Sequence, residues 1–139
     1  PLPEINRMLF RSTPLRKLKL QARALDKLEL YCGGRVAISA LSLSDFSDCG
    51  ATAEDHEGVV DLLRDIDTVE ASAALRACED GTVRVSLRGK RYADVSRVAV
   101  ALHGGGHKLA AGCTICGSLE AAKSAVLAEL RKLFPEEHV

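Results

Sequence analysis

Tryptophan is absent from this sequence, methionine occurs once, and three phenylalanines and two tyrosines supply all the large rings. The interior must therefore be built from Ala, Val, Leu and Ile. Grooves for long single strands interleave aromatics with basic residues, and here only Tyr92 stands near a basic stretch. No apolar run approaches the ~20 residues that span a bilayer, and no signal-peptide core opens the chain. Internal repeats and low-complexity stretches are missing too. What remains is 47% hydrophobic and 27% charged over 139 residues, enough for one domain with a buried core and against disorder. The chain begins at Pro1 with its methionine at position 8, which reads as a piece cut from a longer protein, though a processed N-terminus gives the same pattern.

No even set of cysteines is available for a disulfide framework. Cys32, Cys49, Cys78, Cys113 and Cys116 are an odd number set among apolar neighbours, as suits reduced thiols in a cytoplasmic protein. Cys113 and Cys116 have CxxC spacing without a second pair to complete a zinc site, and on a strand they would face opposite sides. The expectation is no metal bound by this chain.

Net charge is zero, with 19 basic and 19 acidic residues, but the signs are segregated. Residues 1–27 carry seven Lys/Arg against two acids, and residues 45–80 carry eleven acids against two Arg. Residues 82–108 carry Arg84, Arg88, Lys90, Arg91, Arg97 and Lys108 against Asp94 alone. That last segment is either a solvated basic face or one that meets an anion.

Thr13 with Pro14 opens a helix in which Leu15, Leu18, Ala22, Leu25 and Leu28 form one stripe, ending at Gly33-Gly34. Val36 to Leu41 reads as a buried strand, and Ser42 to Ala53 as loop. Thr52 and Asp55 resemble a capping box before a helix buried through Val59, Val60, Leu62, Leu63 and Ile66. Val69 to Leu75 alternates, and Asp80-Gly81 signals a hairpin into the strand Thr82 to Arg88. There Val83, Val85 and Leu87 face in, while Arg84, Ser86 and Arg88 face out. Asp94 caps a helix with Val95, Val98, Ala99 and Leu102 inside. A strand near Ala111 to Cys116 and a Ser118-capped helix close the chain. The fold class is α/β, a mixed β-sheet flanked by helices and preceded by a helical connector.

The segment most suggestive of chemistry is Gly104-Gly105-Gly106-His107-Lys108-Leu109-Ala110-Ala111-Gly112. Consecutive glycines let a ligand approach the main chain, and their amides can converge on an anion. A helix C-cap followed by a turn accounts for the same glycines. His107 adds an imidazole, and Lys108 either reaches the anion or faces solvent. Glu54, Asp55 and Glu57 around His56 complement a helix dipole more simply than they ligate a metal.

Gly104 to Gly112 resembles the GGGHxxAAG motif of the DHH-associated domain, in the subtype of RecJ-like exonucleases and nanoRNase/pAp-phosphatase proteins. The resemblance extends to Val85-Ser86-Leu87-Arg88, Asp94-Val95-Ser96, Glu54 to Gly58, and Ile5-Asn6-Arg7 with the leucine-rich helix, and so covers nearly the whole chain in order. It implies a connector over residues 1–33 to an N-terminal DHH domain and a substrate-binding domain over residues 34–139. It implies a hydrolase in which manganese or another divalent metal, held by that DHH domain, activates water against short oligonucleotides or 3′-phosphoadenosine 5′-phosphate. This chain lacks the Asp-His-His signature and would be inactive alone. Gly104, Gly105 and Gly106 would surround a phosphate, with His107 and Arg88 donating to it. Arg84, Ser86, His103 and Lys108 are further candidates. The sequence departs from the family where His103 stands for a frequent glycine and Gly89 for a frequent serine. The other readings are a cyclic-dinucleotide phosphodiesterase, a non-catalytic nucleotide- or RNA-binding module, and an unrelated α/β domain with a chance glycine loop. A homodimer of the full-length protein is also open.

Overall fold

The computed structural model describes residues 12–135, so Ile5-Asn6-Arg7 and the first part of the expected connector lie outside the described residues. In chain order the elements are α1 (Leu15–Lys27), β1 (Glu29–Tyr31), β2 (Val36–Leu41), α2 (Leu43–Cys49), α3 (Val59–Arg64), β3 (Ala71–Ala77), β4 (Thr82–Gly89), α4 (Val95–Ala101), β5 (Gly105–His107), β6 (Ala110–Cys116) and α5 (Leu119–Arg131). The strands form one sheet in the order β1-β2-β3-β4-β6-β5. Only β2 and β3 run parallel. A parallel pair cannot be closed by a tight turn, and residues 42–70, carrying α2 and α3, supply the long crossover.

The pleat sorts the side chains into two cores. Val36, Ile38, Ala73, Leu75, Val83, Val85, Leu87 and Cys113 point to one face, where α4 and α5 cover them with Val95, Val98, Val126 and Leu130. Ala37, Leu41 and Ala74 point to the other, under Leu20, Ala24, Val59, Val60 and Leu63 of α1 and α3. Strands β2 and β3 are thus covered on both sides, and the run Ala71 to Leu75 is wholly buried. Ala71 to Ala74 are small, which lets helices approach from both faces. Two buried serines pin the second layer to the sheet: Ser39 donates to the Ala24 carbonyl (2.7 Å) and Ser72 to that of Val60 (2.9 Å). Cys113 is buried and Cys116 exposed, as alternation required.

Several local expectations need correction. Helix α1 starts at Leu15 with Pro14 as its N-cap and no side-chain cap, so Pro14 precedes the first helical residue. It ends at Lys27, and residues 29–31 join the sheet as an edge strand. The expected apolar stripe faces outward: Leu15 is 66%, Leu18 50% and Leu25 44% exposed, while Leu20 and Ala24 are buried. Charge explains the inversion. Arg16 pairs with Asp55 (3.0 Å), and Arg23 and Lys27 both pair with Asp45 (2.6 Å each), so the basic helix lies against the acidic segment. Burial pushes the Asp45 carboxyl up, but donors from Lys27, Ser42 and Arg23 outweigh it and hold it well below the ordinary carboxylate range.

Residues 43–49 are helix α2 rather than loop, opened by a Ser42–Asp45 capping box and closed by Gly50 in the left-handed region. The Thr52–Asp55 box is present but opens a 3-10 turn, Ala53–His56; α3 begins only at Val59 and leaves Leu62 exposed.

Candidate functional site

Helices α1 to α3 cover one sheet face only as far as β3 and the near side of β4; the same face of β6 and β5 is open to solvent. Register fixes what stands there. Arg88 is opposite Ala110, which is opposite His107; Ser86 is opposite Gly112, which is opposite Gly105. Directly opposed residues share a face, so Arg88 and His107 look the same way across two inter-strand steps, about 10 Å. The small Ala110 and Gly112 between them leave the floor clear. Arg84 continues the row opposite Thr114 and has no ion-pair partner among the described residues. Lys108 is exposed on the turn beyond His107, and its carbonyl accepts the Val95 amide (2.8 Å).

Arg88 is half-buried and held. Its Nε donates to Asp61 Oδ1 (3.0 Å) and one terminal nitrogen to the Leu87 carbonyl (2.9 Å). Those bonds leave part of the guanidinium edge for a further acceptor. Asp61, which sequence reading did not single out, also accepts from Arg64 (3.2 Å). The loop after Arg88 is clamped by Glu70, whose Oε2 accepts the amides of Arg91, Tyr92 and Ala93 at 2.8, 2.8 and 3.0 Å. Burial raises the Glu70 carboxyl, but those three amides outweigh it and leave it below its ordinary value. Gly89 has a packing reason, since a Cβ there would lie 2.3 Å from the Ala93 carbonyl oxygen.

The three glycines divide by role. A Cβ on Gly104 would stand 2.1 Å from the Gly112 carbonyl oxygen, and one on Gly106 would stand 2.5 Å from the Ala111 Cα. These two let β5 press against β6. Gly105 is different: a Cβ there would meet nothing within 4 Å. As the outermost strand, β5 keeps one row of backbone groups unpaired. His103 takes the left-handed conformation (φ 68°) just past α4, with its amide bonded to Val100 and that of Gly104 to Ala99. This is a Schellman closure, whose left-handed position usually carries glycine.

A cleft of about 330 Å³ adjoins Arg88, lined by His56, Glu57, Arg76, Arg84, Ser86 and Arg88 among others. Ala53 and Arg76 also line a wider groove of about 860 Å³ running past α2 toward the β3–β4 hairpin. His56 and Arg76 were not singled out as site residues. The available signal was the β3 alternation, which puts Arg76 on the same face as Arg84. Among the described residues no group of three or more His, Cys, Asp or Glu side chains could hold a metal ion.

Residues 32–135 match the family model described as the DHHA1 domain. The chain belongs to the DHHA1 domain family. A curated relative, the bifunctional oligoribonuclease and PAP phosphatase NrnA of Thermus thermophilus, is 33% identical over 128 residues. The match takes in 91% of this chain and 37% of that relative, so the chain spans little more than a third of its length. An exopolyphosphatase-related protein from Bacteroides fragilis shares the fold at a TM-score of 0.89 and 24% identity, over 100% of this chain and 41% of that one. The pGpG-specific phosphodiesterase PggH from Vibrio cholerae gives 0.61 and 13% identity, over 85% and 38%. No helix among the described residues is long and apolar enough to cross a membrane.

Proposed function

We propose that this DHHA1 domain grips the phosphates of a short oligonucleotide, with 3′-phosphoadenosine 5′-phosphate as a smaller substrate, for a metal-dependent phosphoesterase. The hydrolytic metals, manganese or another divalent ion, belong to a DHH domain that pairs with this one. The observation that carries the reading is the common open face holding Arg84, Ser86 and Arg88 on β4 with Gly105 and His107 on β5. Arg88 makes a charge-assisted bond to one phosphate. His107 donates to a phosphate or sugar oxygen, and the Gly105 backbone admits a phosphate where a side chain would stand in its way. Gly104 and Gly106 bring that backbone into place, and Lys108 adds charge at the rim. The 33% identity to a relative named for oligoribonuclease and PAP phosphatase activities supports the substrate class. The outward leucines of α1 suit cover by the catalytic partner domain.

The test is binding of a 5′-phosphorylated dinucleotide by isothermal calorimetry. Arg88→Gln and His107→Ala should each weaken it about tenfold, the size of one lost charge-assisted bond of about 1.4 kcal/mol. Both variants should fold, because Asp61 keeps Arg64 and His107 is exposed. Gly105→Val should also fold yet bind poorly. Affinities equal to wild type in all three would contradict the assignment.

A further inference from the structure

Arg76 of β3 stands directly opposite Arg84 of β4. Like charges directly opposed across an antiparallel pair, with Cβ atoms about 5 Å apart, destabilise a sheet. No ion pair of either arginine with an acid occurs among the described residues; Arg76 donates only to the Cys78 sulfur (3.3 Å). Both side chains line the 330 Å³ cleft, as do the exposed Glu54 and Glu57. A second observation comes from another element. His56, on the 3-10 turn, is 7% exposed and lines the same cleft, and its Nε2 is buried without a hydrogen-bond partner. A buried polar atom left unmatched costs free energy unless a ligand or water meets it. Two opposed guanidiniums and an unmatched imidazole nitrogen together suit an anion with acceptor oxygens.

We propose that Arg76, Arg84 and His56 form a second phosphate subsite, which receives a phosphate of the same oligonucleotide several nucleotides from the one held by Arg88 and His107. This rests on the reading of the open face as an oligonucleotide site. Arg84 and Arg88 are four residues apart on β4, about 13 Å along the strand. At roughly 3.4 Å per phosphate of a stacked strand, that span covers about four nucleotides, and fewer if the strand is extended. The subsite therefore selects for length: an oligonucleotide of about five nucleotides fills both positions, and a dinucleotide or nucleoside bisphosphate fills one. The cleft's opening into the wider groove past Arg76 gives the strand room to leave.

The experiment measures binding of a 5′-phosphorylated pentanucleotide and a 5′-phosphorylated dinucleotide to the chain and its Arg76→Gln, Arg84→Gln and Arg88→Gln variants over a salt series. Arg76→Gln should weaken the pentanucleotide five- to tenfold, leave the dinucleotide unchanged, and lower the pentanucleotide's log–log salt slope by about 0.7, one contact on a single strand. The same variant should melt no lower than wild type, because it relieves the opposed pair. Arg84→Gln should weaken the pentanucleotide as well, and Arg88→Gln should weaken both ligands. Pentanucleotide affinity unchanged by Arg76→Gln, beside a loss in Arg88→Gln, overturns the subsite and leaves the oligonucleotide reading standing. Equal loss for both ligands in Arg76→Gln also overturns it. Failure of the wild-type chain to bind either ligand removes both readings.

Discussion

His56 packs its ring 5.7 Å from that of Phe46, and burial, then the positive charge of Arg76, push its pKa down to about 4. The group therefore stays neutral in the folded chain at pH values where the unfolded chain, near 6.5, takes up a proton. The unfolded state binds more protons between those values, so stability rises with pH across the window. It is full above about 6.5 and is lost as pH falls toward 4. Urea denaturation should find the chain roughly 2 kcal/mol less stable at pH 5 than at pH 7. The depressed carboxyls of Asp45, Asp55 and Glu70 act in the same direction only below the window, near their unfolded values of about 4. His56→Gln should flatten the profile between pH 5 and 7. Equal wild-type stability at the two pH values would contradict a neutral, buried His56. At this scale the outward placement of Arg88 was legible from the strand alternation, and its sharing a face with His107 was not, because that depends on the β4–β6–β5 register. His56 was not, because its significance depends on an orphan nitrogen that only packing reveals.

Helix α4 ends on His103 in the conformation where glycine is ordinarily preferred. The imidazole is exposed there, and the strain falls on the backbone rather than on a packed side chain. His103→Gly should therefore stabilise the chain by about 0.5–1 kcal/mol, offset in part by glycine's freedom in the unfolded state. Thermal melts of the two forms would check this; a lower melting temperature for the glycine form would contradict it. His103 thus marks the point where the helix stops. Other elements were legible to the extent that local chemistry decided them: the Asp80-Gly81 hairpin, the β4 alternation, and the Asp94 and Ser118 caps all stand as expected. Helix α2 was missed because its seven residues, Leu43 to Cys49, are rich in Ser and Asp, although Ser42, Asp45 and Gly50 marked both ends. Strand β1 is three residues long and was absorbed into the helical period before it.

Across the molecule, charge segregation in the sequence becomes contact in the fold. The basic residues of α1 close on Asp45 and Asp55, and the leucines of the same helix turn outward. Sequence periodicity gave the stripe but not its direction, because direction depends on acids some 20 to 40 residues away. The basic stretch over residues 82–108 is placed differently. Arg84 and Arg88 emerge where the second helical layer stops, beside a β5–β6 edge left uncovered. A three-layer half and a two-layer half of one sheet thus create an open ledge whose floor is small residues and whose rim is basic. On the proposed reading, the nucleotide binds on this ledge. The most direct test is amide chemical-shift mapping of the chain titrated with a 5′-phosphorylated dinucleotide in metal-free buffer. Shifts should be confined to the strand around Ser86 and Arg88 and to Gly104 through Lys108, with α5 on the opposite face silent. Shifts centred on α5, or none at millimolar ligand, would contradict it.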